Sequence, residues 1–147
     1  MISGIRHTGI TVQNLNKSIN FFTKYLGFKI KKKMNESGKY IDSMLMLKKV
    51  LVTTVKLEAK NGTMVELLKF KNYKNKKERN WNRKIYSTGI THIALTVKNL
   101  DKTYIFLKRK KVKFNAPPQD SPDGYAKVTF CRGPENLWVE LTEVKKN

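Results

Sequence analysis

The stretch Gly4-Ile5-Arg6-His7-Thr8-Gly9-Ile10-Thr11-Val12-Gln13-Asn14-Leu15-Asn16-Lys17 recurs as Gly89-Ile90-Thr91-His92-Ile93-Ala94-Leu95-Thr96-Val97-Lys98-Asn99-Leu100-Asp101-Lys102. Gly, Ile, His, Thr, Val, Asn, Leu and Lys coincide, where chance supplies roughly one match. The halves agree again at their far ends, where Met64-Val65-Glu66-Leu67-Leu68 parallels Trp138-Val139-Glu140-Leu141-Thr142. Each half therefore opens on a strand that carries a histidine and closes on a strand that carries a glutamate.

Between those ends the apolar period changes from two to about 3.6. Leu15, Ile19, Phe22 and Leu26 make a helical stripe that stops at Gly27, with Asn14 or Asn16 placed to cap its start. In the second half the stripe is Leu100, Tyr104 and Leu107, and the cap is Asn99 or Asp101. Alternation returns at Phe28-Lys29-Ile30 and at Val112-Lys113-Phe114. Further strands are expected at 51–58, 63–70, 125–131 and 138–144, with turns at Asn61-Gly62, Asp123-Gly124 and Gly133-Pro134-Glu135-Asn136.

The predicted fold is α+β: tandem βαβββ modules forming a curved, partly closed mixed sheet around a metal site. The modules span 1–70 and 88–147, joined by a polar linker at 71–87 that is rich in lysine and asparagine. Tyr73, Trp81 and Tyr86 give that linker a second reading, as a basic arm that stacks on a base. The stretch 40–47 has no clear period, and Met44 and Met46 suit either an apolar cover over a cavity or a plain core loop.

The formal charge of +20 points to an anionic partner. Lysine far outnumbers arginine and is spread along the whole chain, which argues against nucleic acid and for a small anionic substrate within a lysine-coated surface. A lone Cys131 forms no internal disulfide, and neither an apolar leader nor a long apolar run is present, so a cytoplasmic protein with no membrane partner is expected.

Glu66 and Glu140 sit inside apolar runs, where a carboxylate leaves water at a cost of several kcal/mol unless something positive meets it. A nearby lysine could serve. So could a metal ion: imidazole nitrogen and carboxylate oxygen are ligands of zinc, iron, cobalt, nickel and manganese. A single strand histidine is more often a hydrogen-bonded core residue than a ligand. Here the chain's two histidines occupy equivalent repeat positions and are matched by two equivalent glutamates, so one divalent ion held by His7, Glu66, His92 and Glu140 is expected. The small residues Gly9, Thr11, Ala94 and Thr96 share the faces of the histidines. Met64, Leu68, Trp138 and Thr142 share those of the glutamates. Of these, Thr11, Met64, Leu68, Thr96 and Trp138 are the expected substrate contacts.

His7 to Val12 with Asn14-Leu15, Phe21-Phe22-Thr23-Lys24-Tyr25-Leu26-Gly27-Phe28, His92 to Val97, and Gly133-Pro134-Glu135-Asn136 leading to Val139-Glu140-Leu141 resemble the vicinal oxygen chelate superfamily over nearly the whole chain. That group includes glyoxalase I, methylmalonyl-CoA epimerase, extradiol dioxygenases, fosfomycin-resistance enzymes and metal-free bleomycin-binding proteins. Its ligand positions fall on His7, Glu66, His92 and Glu140. The resemblance implies a metal-dependent lyase or isomerase of the glyoxalase or epimerase type, acting on a small anionic carbonyl or carboxylate substrate by metal-stabilised enediolate chemistry. Glu140, and secondarily Glu66, would be the catalytic base, and the assembly a homodimer. Thr11 stands where glyoxalase I has an arginine for glutathione, and Phe70 stands at its second glutathione contact, which argues against a glutathione thioester. The alternatives are a metal-free or metal-structural binding protein of the bleomycin-resistance kind and an iron-dependent dioxygenase.

Overall fold

The computed structural model describes residues 2–73 and 84–145, and the chain divides into two compact units, one on either side of the segment 74–83. The first contains β1 (Thr8–Thr11), α1 (Leu15–Asn20), β2 (Lys29–Ser37), α2 (Lys39–Leu45), β3 (Leu51–Glu58) and β4 (Met64–Phe70). The second contains β5 (His92–Thr96), α3 (Leu100–Arg109), β6 (Gln119–Asp120), β7 (Ala126–Arg132) and β8 (Trp138–Val144). The strands form two four-stranded sheets of identical order, β1-β4-β3-β2 and β5-β8-β7-β6, neither of which closes on itself. In each, the first and last strands pair in parallel and the remaining pairs are antiparallel. The α+β class and the doubled β-α-β-β-β order are those the sequence predicts.

The helix starts follow from the asparagines that the repeat aligns. Asn14 Oδ1 accepts from the Lys17 N–H at 2.9 Å and Asn99 Oδ1 from the Lys102 N–H at 2.8 Å, each satisfying a donor that the first turn leaves unpaired. Helix α1 runs straight into a π-helical turn, Phe21–Tyr25, whose extra residue shifts the apolar stripe. Phe21 joins Phe22 in the core, while Leu26 stays half-buried. Gly27, at φ 76°, then turns the chain into β2.

Alternation along the strands sets the two faces of each sheet. Val65 and Leu67 of β4, with Val55 and Leu57 of β3, are buried on the face covered by α1 and Phe28. Val139, Leu141 and Cys131 are buried in the same way with Leu100 and Leu107 of α3, and Tyr104 packs edge-on against Phe114 with ring centroids 4.7 Å apart. Glu66 and Glu140 alternate with these residues and so project from the opposite faces.

Two segments differ from the sequence reading. Val112-Lys113-Phe114 does not form a full strand: Phe114 makes an isolated bridge to Cys131, and pairing resumes only at Gln119–Asp120. Pro117 and Pro118 lie between, and proline has no N–H to give a ladder. Residues 40–47 are mostly helix rather than loop, and α2 buries none of its residues: Tyr40, Met44 and Met46 are exposed. Of the aromatics in the expected linker, Tyr73 is tied back to its own unit through Lys48, Tyr86 is exposed, and Trp81 lies outside the described residues. No helix among the described residues is long and apolar enough to cross a membrane.

Candidate metal centre

The parallel pairing of β1 with β4 puts Gly9 opposite Glu66, and that of β5 with β8 puts Ala94 opposite Glu140. Each histidine stands two residues before that partner along the neighbouring strand, hence on the same face as the glutamate. In the first unit His7 Nε2 lies 3.1 Å from Glu66 Oε2, and in the second His92 Nε2 lies 3.3 Å from Glu140 Oε2. The glutamate side chains are 14% and 21% exposed and the histidines 29% and 37%, so the carboxylates lie deeper than the imidazoles that face them. Each unit thus brings its own histidine and glutamate together. No group of three or more His, Cys, Asp or Glu side chains placed to hold an ion occurs among the described residues.

The surroundings of the two pairs differ. Glu66 Oε1 faces the Lys56 ammonium at 3.7 Å, from the β3 residue directly opposite. His7 Nδ1 is buried without a hydrogen-bond partner. Around the second pair the supports are neutral: Thr142 Oγ1 donates to Glu140 Oε1 at 2.9 Å, Thr91 Oγ1 lies 3.0 Å from His92 Nδ1, and the Phe130 ring meets the His92 ring edge-on. Lys56, Thr91 and Phe130 are neighbours that the sequence reading missed. For Lys56 and Phe130 the alternation of β3 and β7 was the available signal, but choosing among its residues required the register; Thr91 is simply the residue before His92.

The expected substrate contacts lie on these same faces. Thr11 and Thr96 are exposed, Met64 and Leu68 are half-buried, and Trp138 is only 8% exposed. Trp138 is less open than expected because the Arg132 guanidinium carbon stacks 3.2 Å from its ring centroid. Gly9 leaves room beside Glu66: a Cβ there would meet Leu68 Cδ1 at an ordinary 3.6 Å.

An ion shared by two donors, each about 2.1 Å away, holds them about 3.0 to 3.4 Å apart for right-angled to tetrahedral coordination. The two N–O separations, 3.1 and 3.3 Å, fall in that interval, so the donor types and spacing of each pair fit a divalent ion. The same spacing serves an imidazole N–H donating to a carboxylate.

The chain is similar to known proteins over nearly its whole length. The uncharacterized protein YwbC of Bacillus subtilis (strain 168) is 24% identical over 143 residues, covering 96% of this chain and 98% of its own length. A lactoylglutathione lyase of Schizosaccharomyces pombe is 29% identical over 145 residues, covering 93% of this chain, which in turn spans 46% of that longer protein. The crystal structure of a glyoxalase family protein from Bacillus cereus superposes with a TM-score of 0.89 at 17% identity, over 99% of this chain and 97% of the other. The family model for the glyoxalase/bleomycin resistance protein/dioxygenase superfamily matches residues 4–141, and the chain belongs to that superfamily.

Proposed function

We propose that this protein is a divalent-metal-dependent enzyme of the glyoxalase or epimerase type, with His7, Glu66, His92 and Glu140 as the ligand set. Its substrate is a small anionic carbonyl or carboxylate compound. The observation that carries the reading is the doubled His–Glu pair: the same two side chains, in the same register, at 3.1 and 3.3 Å in two separate units. Imidazole nitrogen and carboxylate oxygen are donors that such an ion takes. When bound, a nickel, zinc, cobalt, manganese or iron ion supplies positive charge where negative charge develops on a substrate oxygen.

The chain's own residues do the rest. Glu140 moves the proton next to the substrate carbonyl. Its Oε1 is held by the Thr142 hydroxyl, and its neighbours Ala94 and Phe130 are uncharged. Glu66 is the secondary choice, because the Lys56 ammonium faces its carboxylate and tethers it by charge. Thr91 beside Nδ1 sets the orientation of the His92 ring, as partners of a ligating imidazole do. The net charge of +20 favours encounter with an anion.

The test is elemental mass spectrometry of the untagged protein beside His7→Ala and His92→Ala. Near-stoichiometric divalent metal, lost in both variants, is the expected result. A wild-type protein without metal even after reconstitution would overturn the reading in favour of a bleomycin-resistance-like binding protein. Iron accompanied by oxygen uptake would point to a dioxygenase. The functional unit is proposed to be a homodimer, and mixing the two variants tests whether ligands are shared between chains. Shared sites regain metal on mixing, and sites confined to one chain do not.

A further inference from the structure

Arg132 of β7 is opposite Trp138 of β8, which in turn is opposite His92 of β5. Residues opposite one another in a sheet project to one face, so Arg132, Trp138 and His92 form a row across three strands, and Phe130, Glu140 and Ala94 form the next. The Arg132 guanidinium carbon lies over the indole, 3.2 Å from its centroid, and its Nη1 donates to the Asn136 carbonyl at 2.7 Å. That carbonyl is offered by the Pro134–Asn136 turn, in which Glu135 and Asn136 hold left-handed φ values of 55° and 56°. Non-glycine residues rarely adopt that conformation, and here it shapes the seat of the guanidinium.

None of the ion pairs among the described residues includes Arg132. A guanidinium carries five N–H donors in a rigid fork, and stacking orders that fork without consuming the donors on its edge. Two strand spacings, about 10 Å, separate its strand from that of His92. A small molecule of that length, lying along this face, reaches from one strand to the other.

We propose that Arg132 is a specificity-determining residue that receives a carboxylate or phosphate at the far end of a substrate whose reacting end meets His92 and Glu140. The inference rests on the proposed role of those two residues. The shared chemistry is a planar or tetrahedral oxyanion that accepts paired N–H bonds, and an arginine fork suits both forms.

The test uses Trp138 as reporter, in Trp81→Phe protein as purified, titrated at about 0.15 M salt to screen nonspecific attraction. Inorganic phosphate and propionate are the two probes, and the tighter one identifies the class. A saturable change in indole fluorescence is expected. Arg132→Gln should weaken binding at least tenfold, and Arg132→Lys less, while Arg109→Gln, which removes the same charge from an exposed position on α3, leaves it unchanged. Arg132→Lys also guards against misfolding of the glutamine variant. No saturable response in the parent, or equal affinities in the Arg132→Gln and Arg109→Gln proteins, would overturn the proposal. Metal content of Arg132→Gln, expected to equal the parent's, separates this failure from failure of the metal reading. Metal without Arg132-dependent binding removes only the anion site; Arg132-dependent binding without metal leaves an anion site and removes the enzyme.

Discussion

At the scale of single residues, the two His–Glu pairs are alike in register and unlike in support. Lys56 meets Glu66, while Thr142 and Thr91 attend Glu140 and His92. That difference follows from strand partners, since Lys56 is opposite Glu66 and Phe130 is opposite Glu140. The one thiol offers a separate residue-scale prediction. Cys131 is fully buried, and burial pushes its pKa from 9.0 up to about 12. An acid whose folded pKa is raised contributes stability that is intact below its unfolded pKa and is lost as pH climbs through the folded one. Unfolding midpoints should therefore fall between pH 9 and 12, and Cys131→Ala should flatten that fall. A thiol-specific chromogenic reagent at pH 8 should leave the native protein untouched and label one thiol per chain in denaturant. Rapid labelling of the native protein would contradict the burial.

At the scale of elements, α1 and α3 each begin on an asparagine that the sequence repeat had already aligned. Replacing Asn99 by alanine removes the acceptor for the Lys102 N–H and should cost about 1 kcal/mol in urea unfolding. Loss of Leu100 N–H pairing is not expected, because Glu143 of β8 accepts that bond. An unchanged midpoint would mean that Asp101 or water takes over the cap. The helix starts, the glycine stop at Gly27 and most strands were legible because each rests on local patterning. The π-helical turn at Phe21–Tyr25 was not, since an inserted residue leaves the apolar count unchanged while rotating the stripe. Strand β6 was misplaced for a related reason: Val112 to Phe114 has the alternation, but Pro117 and Pro118 decide where hydrogen bonding can continue.

At the scale of the whole molecule, a net charge of +20 on 147 residues means that the summed repulsion works against compactness. Part of that charge lies on the edge strand β2, where exposed Lys29, Lys31, Lys32 and Lys33 discourage pairing with another sheet. Raising ionic strength from about 0.01 to about 0.15 M shortens the screening length from about 30 to about 8 Å, so the melting temperature should rise. A flat or falling melting temperature would show that local ion pairs such as Lys127–Asp101 and Lys145–Asp120 outweigh the net repulsion. By itself, the sequence determined the doubled module, the placing of one histidine and one glutamate at equivalent strand positions, and the superfamily. A repeat and a period of two are properties of the chain read in order. Only the tertiary structure decided that His7 meets Glu66 and His92 meets Glu140 within 3.3 Å, that Lys56, Thr91 and Thr142 support these pairs, and that Arg132 stacks on Trp138. The two His–Glu contacts cross between strands distant in sequence, and register, set by turns, bulges and core packing, selects which residues face each other.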